Sequence, residues 1–272
     1  MSQADIPTAI ALTDLEEWGC TPEIFRRLMY LDPRGCLKAV LDGEMIGLTT
    51  ATSYGDVGWI GNVIVHTMHR GKGIGIQLVE SAIEYLEGTG AETVRLNSYI
   101  HVASLYGALG FKGEFENVRY NGVIKPSGDK TPPSPSSLGD VVSFDERYFG
   151  CSRNRLLMRL RREYPRTFIS TGDDDVRGYL VGQVEEGSCE IAPWVVDHRN
   201  KECARELWRA LAAKVGETRV ALTAPVPCEQ ASSIARWAGL RRGFRTLRMY
   251  RGMRAHGGRP AGTIALGGLE KG

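Results

Sequence analysis

The 272-residue sequence lacks any long apolar run. A helix that spans a membrane needs about 18 to 20 consecutive apolar residues, and no stretch approaches that length. Residues 1–19 also lack the basic start and the unbroken apolar core of a secretory signal peptide. We therefore expect no membrane partner and a cytoplasmic location.

Paired metal ligands are missing as well. The six cysteines are scattered singly without a CxxC pair, and the five histidines show no HExxH spacing. These absences exclude the common zinc motifs, so we expect no metal. Reduced, mostly buried thiols are the expectation for such cysteines in a cytoplasmic protein.

A strong excess of one charge is also absent, because the formal net charge is only +2. The distribution is uneven, however. Residues 1–125 carry 10 basic and 15 acidic side chains, whereas residues 126–272 carry 24 and 17. Between these parts, residues 126–139 are rich in Pro, Ser and Gly and have no apolar periodicity, as is typical of a linker. We predict two domains, 1–125 and 140–272, joined by the linker 126–139.

Apolar periodicity predicts a mixed α/β fold in the first domain. Thr21 followed by Pro22 has the composition of a helix start. Asp42-Gly43 is a hairpin turn signal between two apolar runs. The predicted strands are 36–40, 45–52, 59–65 and 93–96, and the predicted helices begin near residues 22, 74 and 102. The second domain repeats this order more faintly, with strands at 167–170, 176–184, 189–196 and 219–222 and helices at 153–163, 202–215 and 231–238. Residues 263–266 are expected to add an edge strand. The sequence thus predicts two copies of one unit, each a central mixed sheet flanked by helices.

The most informative stretch is a buried strand that runs through Arg70-Gly-Lys-Gly-Ile-Gly75 directly into an amphipathic helix. Glycines let the backbone turn tightly and approach a ligand closely. The N–H groups and the positive dipole end of a helix N-terminus bind anions. Arg70 would add positive charge at the mouth of such a site. The stretch therefore predicts a diphosphate-binding turn, although it fits neither the Rossmann nor the Walker spacing.

Two motifs identify a family resemblance. Val65-His-Thr-Met-His-Arg-Gly-Lys-Gly-Ile-Gly75 resembles the V-x-P-x-x-R-G-x-G-I-G signature of GNAT-type N-acetyltransferases, with Thr67 in place of the proline. Leu105-Tyr-Gly-Ala-Leu-Gly-Phe111 is similar to the L-Y-x-x-L-G-F element of the same superfamily. The resemblance covers roughly residues 12–122. The second half resembles the degenerate second domain of tandem-GNAT proteins.

The resemblance implies acetyl-CoA as the acetyl donor. Its pyrophosphate would bind the amides around Arg70, Gly71, Lys72, Gly73, Ile74 and Gly75. Val65 would hold the pantetheine arm on a strand that splays from its neighbour, and its N–H could polarise the thioester carbonyl. Tyr106 matches the tyrosine that protonates the departing CoA thiolate. A small-molecule or peptide amine would be the acceptor, attacking the thioester directly in a ternary complex.

The general base is not evident from the resemblance. Many relatives carry a Glu on the signature strand, but residues 58–65 contain no carboxylate. His66 and His69 follow the strand, where they are expected to cap or pack the turn. A distant carboxylate or water is the favoured interpretation. The family's Asn position is Tyr99 here, and Asn97 is a possible substitute.

The second copy lacks the glycine turn and the tyrosine of the first. Residues 197–204 contain no glycine, and Ala235 stands opposite Tyr106. We interpret this domain as non-catalytic, with an acceptor-side or structural role.

The alternative to an enzyme is a non-enzymatic acyl-CoA-binding regulatory module. A nucleic-acid-binding role would depend only on arginines such as those of residues 153–166, and interleaved acids favour a solvated face, so we expect no nucleic-acid partner.

Overall fold

The computed structural model describes residues 1–126, 135–172, 175–185, 187–253 and 258–272. Residues 127–134, most of the predicted linker, lie outside the described residues. The chain forms two compact units. The first unit consists of Met1–Gly113, the described part of Met249–His256, and Glu270–Gly272. The second unit consists of Glu114–Arg248 and the described part of Gly257–Leu269.

The elements follow the predicted order with several additions. In the first part of the chain they are α1 Ile6–Asp14, α2 Pro22–Leu31, β1 Cys36–Leu41, β2 Glu44–Ser53, β3 Val57–Val65, α3 Ile74–Gly88, β4 Thr93–Tyr99, α4 Ala103–Ala108 and β5 Lys112–Ile124. The remainder contains α5 Leu138–Phe149, α6 Asn154–Glu163, β6 Phe168–Gly172, β7 Val176–Glu185, β8 Ser188–Val196, α7 Lys201–Val215, β9 Thr218–Pro225, α8 Glu229–Trp237, β10 Arg241–Gly252 and β11 Thr263–Ala265. The sequence did not predict α1, α5, β5 or β10. The mixed α/β fold is confirmed.

In the first unit the strands lie in the order β1, β2, β3, β4. The β1–β2 and β2–β3 pairs are antiparallel, and the β3–β4 pair is parallel. The predicted hairpin turn joins β1 to β2, and both Asp42 and Gly43 have positive φ angles, of 52° and 86°. Phe25 and Leu28 of α2 pack in one core with Leu48 of β2 and Ile64 of β3. The opposite face of these strands carries α3.

In the second unit the strand order is β6, β7, β8, β9, β5, β10. Its core contains Trp194 of β8, Leu207 and Leu211 of α7 and Ile234 of α8. The parallel β8–β9 pairing covers only Ser188–Glu190 and Arg219–Ala221. Beyond it, β11 pairs antiparallel with β8 at Val195 and Trp194.

The strand predicted at residues 263–266 forms as β11, but its predicted edge position was wrong. The N–H of Leu266 donates to the Thr223 carbonyl of β9 at 2.9 Å while β11 pairs with β8. Ile264 and Ala265 are fully buried. The strand therefore fills the space between the diverging ends of β8 and β9, because its apolar side chains are stabilised by burial rather than exposed at an edge.

The compact units also differ from the predicted division into 1–125, 126–139 and 140–272. Residues late in the chain complete the first unit. The Thr93 hydroxyl donates to the Met253 carbonyl, the Met253 N–H donates to the Glu92 carbonyl at 3.1 Å, and Arg251 pairs with Glu87. These hydrogen bonds and this ion pair join segments about 160 residues apart in the sequence, which composition along the chain does not reveal.

A chain cut after residue 125 should therefore fail to fold into a stable first unit. It would lose the segments 249–253 and 270–272 and expose strand edges that favour aggregation. Soluble yield and the cooperativity of thermal unfolding measure the effect. The control is the full chain with a protease site placed within 127–134 and cleaved after folding, which retains both segments. A soluble 1–125 fragment that melts as cooperatively as this nicked chain would contradict the expectation.

Candidate active site

Strand β3 contains a bulge at Asn62. This residue has a φ of 50°, in the left-handed region, and the β2–β3 register shifts between Leu48 and Thr50. The Asn62 side-chain amide donates to the Thr50 hydroxyl at 3.3 Å, and the Thr49 hydroxyl donates to the Gly61 carbonyl at 3.0 Å. These two side-chain bonds hold the bulge in place.

The bulge coincides with a divergence of the two parallel strands. Val57–Ile60 pair with Thr93–Leu96, and within the described residues the β3–β4 register ends there. Both strands continue, to Val65 and Tyr99. A gap therefore opens between β3 and β4 towards their carboxyl ends, as expected for a strand that splays from its neighbour. Val65 lies at the end of β3 that borders this gap.

The glycine-rich turn lies at the same end. Gly71 and Gly73 have positive φ angles of 75° and 81°, and a Cβ on either would meet no atom within 4 Å. Helix α3 begins at Ile74 and runs for 15 residues. Its first N–H groups have no intrahelical partners and lie at the positive end of its dipole. The open space beside Gly71 and Gly73 and these N–H groups fit a diphosphate.

Arg70 makes two side-chain contacts beside the glycine turn. Its Nε donates to the Val65 carbonyl at 2.9 Å, and its guanidinium pairs with Glu16 at 2.7 Å. Arg70 thus links the turn to the end of β3 and to Glu16. Lys72 also bonds within the turn, through Nζ to the Met68 carbonyl at 3.3 Å. The sequence had not indicated Glu16, because nothing local links it to a residue 54 positions later.

Tyr106 lies on α4, which follows β4 closely. Because parallel strands end at the same edge of a sheet, α4 and the start of α3 flank the same end of the gap. The Tyr106 ring packs edge-on to Phe111 with 6.1 Å between ring centroids. Its carbonyl accepts the N–H groups of Leu109 and Phe111 at 3.0 Å. Burial raises the pKa of Tyr106 to about 12, so its hydroxyl is protonated at neutral pH.

Two family models match the chain, and both describe acetyltransferases. An acetyltransferase (GNAT) family model matches residues 9–111, and an acetyltransferase (GNAT) domain model matches residues 141–260. The chain belongs to the GNAT acetyltransferase family. The tandem arrangement predicted from the sequence is confirmed, and the enzyme class is acyltransferase.

Individual relatives agree with this assignment. The N-alpha-acetyltransferase MAK3 of Arabidopsis thaliana is 34% identical over 95 residues, which cover 32% of this chain and half of that protein's length. A crystal structure from Pyrococcus horikoshii, described as an acetyltransferase, matches with a TM-score of 0.84 at 20% identity over 100% of this chain and 94% of its own. A GCN5-related N-acetyltransferase from Sphaerobacter thermophilus matches with a TM-score of 0.61 at 18% identity, covering 98% and 95%. At these identities, the solved structures show a shared fold.

The second GNAT domain lacks both features of the first. Its equivalent turn contains Asp197, which pairs with Arg199 at 2.9 Å, and Asn200, whose side chain caps α7 by accepting the Cys203 N–H at 3.2 Å. The first turn of α7 is thus capped by the protein itself. The gap between β8 and β9 is filled by β11, so a pantetheine arm would find a strand already paired there.

Of the two histidines that follow β3, His66 has a partner within the turn, whereas the buried Nδ1 atom of His69 has no hydrogen-bond partner among the described residues. His66 Nδ1 accepts the Met68 N–H at 3.3 Å, which makes it a cap of the turn Thr67–His69. The rings of His66 and His69 lie 5.9 Å apart.

In the described part of the chain, no group of three or more His, Cys, Asp or Glu is arranged to hold a metal ion. No helix among the described residues is both long and apolar enough to cross a membrane.

Proposed function

We propose that this protein is an acetyl-CoA-dependent N-acetyltransferase with one active site, in its first unit. The observation that carries the proposal is the gap between β3 and β4, which opens beside the glycine turn. The amides of residues 70–75 would bind the pyrophosphate. The splayed part of β3, with Val65, would bind the pantetheine arm by main-chain hydrogen bonds. Acetyl-CoA supplies the thioester that the acceptor attacks.

The chemistry requires two proton transfers. The acceptor nitrogen forms a bond to the thioester carbon, and the carbon–sulfur bond breaks. The leaving thiolate takes the proton of the Tyr106 hydroxyl, which is held protonated by burial. A main-chain N–H of the diverging part of β3 would stabilise the carbonyl oxygen as negative charge develops on it. The proton that the nitrogen loses needs a separate acceptor.

Direct transfer to the amine is supported by the state of the two thiols of the first unit. Burial raises the pKa of Cys20 and of Cys36 to about 11. A thiolate, rather than a thiol, is the nucleophile in acyl transfer through cysteine. Both groups are therefore poor candidates for an acetyl-cysteine intermediate, and a ternary complex of protein, acetyl-CoA and amine is the simpler route.

A primary amine, from a small molecule or a peptide, is the proposed acceptor. The relative named N-alpha-acetyltransferase aligns over 95 residues and favours including peptide N-termini among the candidates. The second unit is proposed to take an acceptor-side or structural role without binding CoA, since its gap is filled and its turn has no glycine.

An amine panel tests this function. The full chain is incubated with acetyl-CoA and one class of amine at a time. The four classes are peptides with free N-termini, lysine-containing peptides with blocked N-termini, polyamines and single amino acids. We expect free thiol to appear with at least one class, together with a mass increase of one acetyl group on the amine. The control is acetyl-CoA without amine, which measures hydrolysis. CoA binding without turnover of any class would favour the regulatory-module alternative.

A further inference from the structure

The segment Glu270–Gly272 packs into the first unit against β3. A Cβ on Gly61 would lie 2.5 Å from the Cα and 2.6 Å from the Cβ of Glu270, so Glu270 fills the space of the side chain that Gly61 lacks. The Tyr54 hydroxyl donates to the Lys271 carbonyl at 2.9 Å. The position of Glu270 is thus set by close backbone contact with β3 and not by its own side chain.

The contact falls at the point where the two strands diverge. Ile60 is the last residue of β3 in register with β4, Gly61 is the next residue, and the bulge at Asn62 follows. In the proposed complex the pyrophosphate lies at residues 70–75 and the pantetheine arm runs back along β3. The reactive end of the arm therefore approaches the closed end of the gap, where Glu270 is located.

Three groups face the Glu270 carboxylate from the elements around it. Lys271 pairs with it directly, Arg27 of α2 acts on it electrostatically, and Cys20, in the loop before α2, lies close enough to interact with its charge. Burial raises the pKa of Glu270, but the positive charges of Lys271 and Arg27 outweigh burial and hold the pKa below its ordinary value. The Glu270 carboxyl is therefore ionised at neutral pH, and its side chain is 16% exposed.

An amine that attacks a thioester must lose a proton, because an ammonium has no electron pair to donate. No residue of β3 carries a carboxylate. Glu16 pairs with Arg70 beside the glycine turn, at the open end of the gap, and His66 lies in the turn at that same end. Glu270, by contrast, has its Cα and Cβ against Gly61, where β3 diverges from β4.

We propose that Glu270 is the proton acceptor of the acetyl transfer, an assignment that depends on the proposed function. A Glu270 carboxylate oxygen first takes one proton from the bound ammonium, directly or through one water, and releases it to solvent. The free amine then forms the carbon–nitrogen bond, and its nitrogen releases its second proton to solvent. The carbon–sulfur bond breaks, the thiolate takes the proton of Tyr106, and Tyr106 regains one from solvent.

The variant Glu270→Gln tests the assignment in the full chain. Glutamine keeps the shape that packs on Gly61 but is not a base at neutral pH. With an amine identified by the panel, we expect kcat to fall about 10²–10⁴-fold at pH 7 and the KM for acetyl-CoA to stay within about twofold. The defect should shrink as the pH rises through the pKa of the acceptor amine, because the free amine no longer needs a base. A loss due only to disturbed packing would be equal at every pH.

Two further variants complete the design. Glu44→Gln changes an exposed glutamate at the start of β2 and should leave kcat unchanged. Glu270→Asp keeps a carboxylate and should retain more activity than Glu270→Gln, even where both lower the melting temperature equally. Full activity of Glu270→Gln, or an equal loss at every pH with Glu270→Asp no better, would overturn the role of Glu270 alone. A wild-type chain that acetylates no amine would overturn both the proposed function and the role of Glu270.

Discussion

Replacing Gly73 by Asp should raise the dissociation constant of CoA about 30-fold, and we expect the wild-type protein to bind one CoA per chain. Gly73 precedes α3 with a φ of 81° and open space beside it. A carboxylate there would occupy the anion site at the helix N-terminus, where such an interaction reaches about 2 kcal/mol. The same carboxylate would repel the pyrophosphate.

Gly43→Asp is the matched control for this variant. Gly43 also has a positive φ, 86°, and open space around its Cβ position, but it lies in the β1–β2 hairpin. Both substitutions carry a similar backbone penalty of about 1 kcal/mol, so comparable melting temperatures with different CoA affinities isolate the phosphate site. Calorimetry gives affinity and stoichiometry together. Two CoA molecules per wild-type chain, or unchanged affinity in Gly73→Asp, would contradict the assignment.

The expected stoichiometry of one CoA per chain depends on β11. A GNAT domain that binds CoA needs a gap between its two parallel central strands, and β11 occupies that gap in the second unit with Ile264 and Ala265 fully buried. The sequence predicted the loss of cofactor binding from the residues of the turn, 197–204. The structure adds a second, independent reason, since restoring glycines to residues 197–200 would leave the strand in place.

Local signals predicted the glycine turn and the helices of the candidate site because these features are local. The turn at Gly71 and Gly73 requires positive φ angles that glycine adopts readily, and the helix that follows has a clear apolar stripe. Consecutive residues in the sequence determine each of these features. The same is true of the Tyr106 turn, whose carbonyl bonds lie within five residues.

The missed strands β5 and β10 have a different cause. Their sequences, KGEFENVRYNGVI and RRGFRTLRMYRG, carry many charges where apolar alternation is the usual signal. In the second unit these charges pair across strands: Arg248 with Glu114 at 2.9 Å, Arg245 with Glu116, and Arg119 with Glu190 at 2.5 Å. Each partner is distant in the sequence, so neither strand shows its pairing in its own residues.

Glu270 was missed for a related reason. A single acid near the end of a glycine-rich stretch has no local pattern, and its contact with Gly61 spans more than 200 residues. One signal was available, namely the lack of a carboxylate on residues 58–65 beside a glycine at position 61. A glycine in a strand interior often marks the close approach of another backbone.

Tyr106→Phe should lower kcat about 10²–10⁴-fold while the affinity for acetyl-CoA stays within about twofold. The ring contact with Phe111 remains in the variant, so the change removes only the hydroxyl. The hydroxyl acts on a thiolate that exists only as the carbon–sulfur bond breaks, and its loss therefore affects kcat rather than binding. Tyr85→Phe is the control, since Tyr85 has a similarly raised pKa of about 12 but its hydroxyl bonds to Asp32.

The pH dependence gives a second check on Tyr106. Because burial raises the pKa of Tyr106 to about 12, the acid form is fully present at neutral pH and is lost only as the pH rises through that value. The wild-type rate should therefore show no alkaline decline caused by Tyr106 below about pH 11, and the ratio of wild-type to Tyr106→Phe rates should stay constant from pH 7 to 9. Single-turnover measurements establish that bond breaking is being observed. If Tyr106→Phe then reacts within about threefold of the wild type, CoA leaves as the free thiolate and the hydroxyl has no catalytic role.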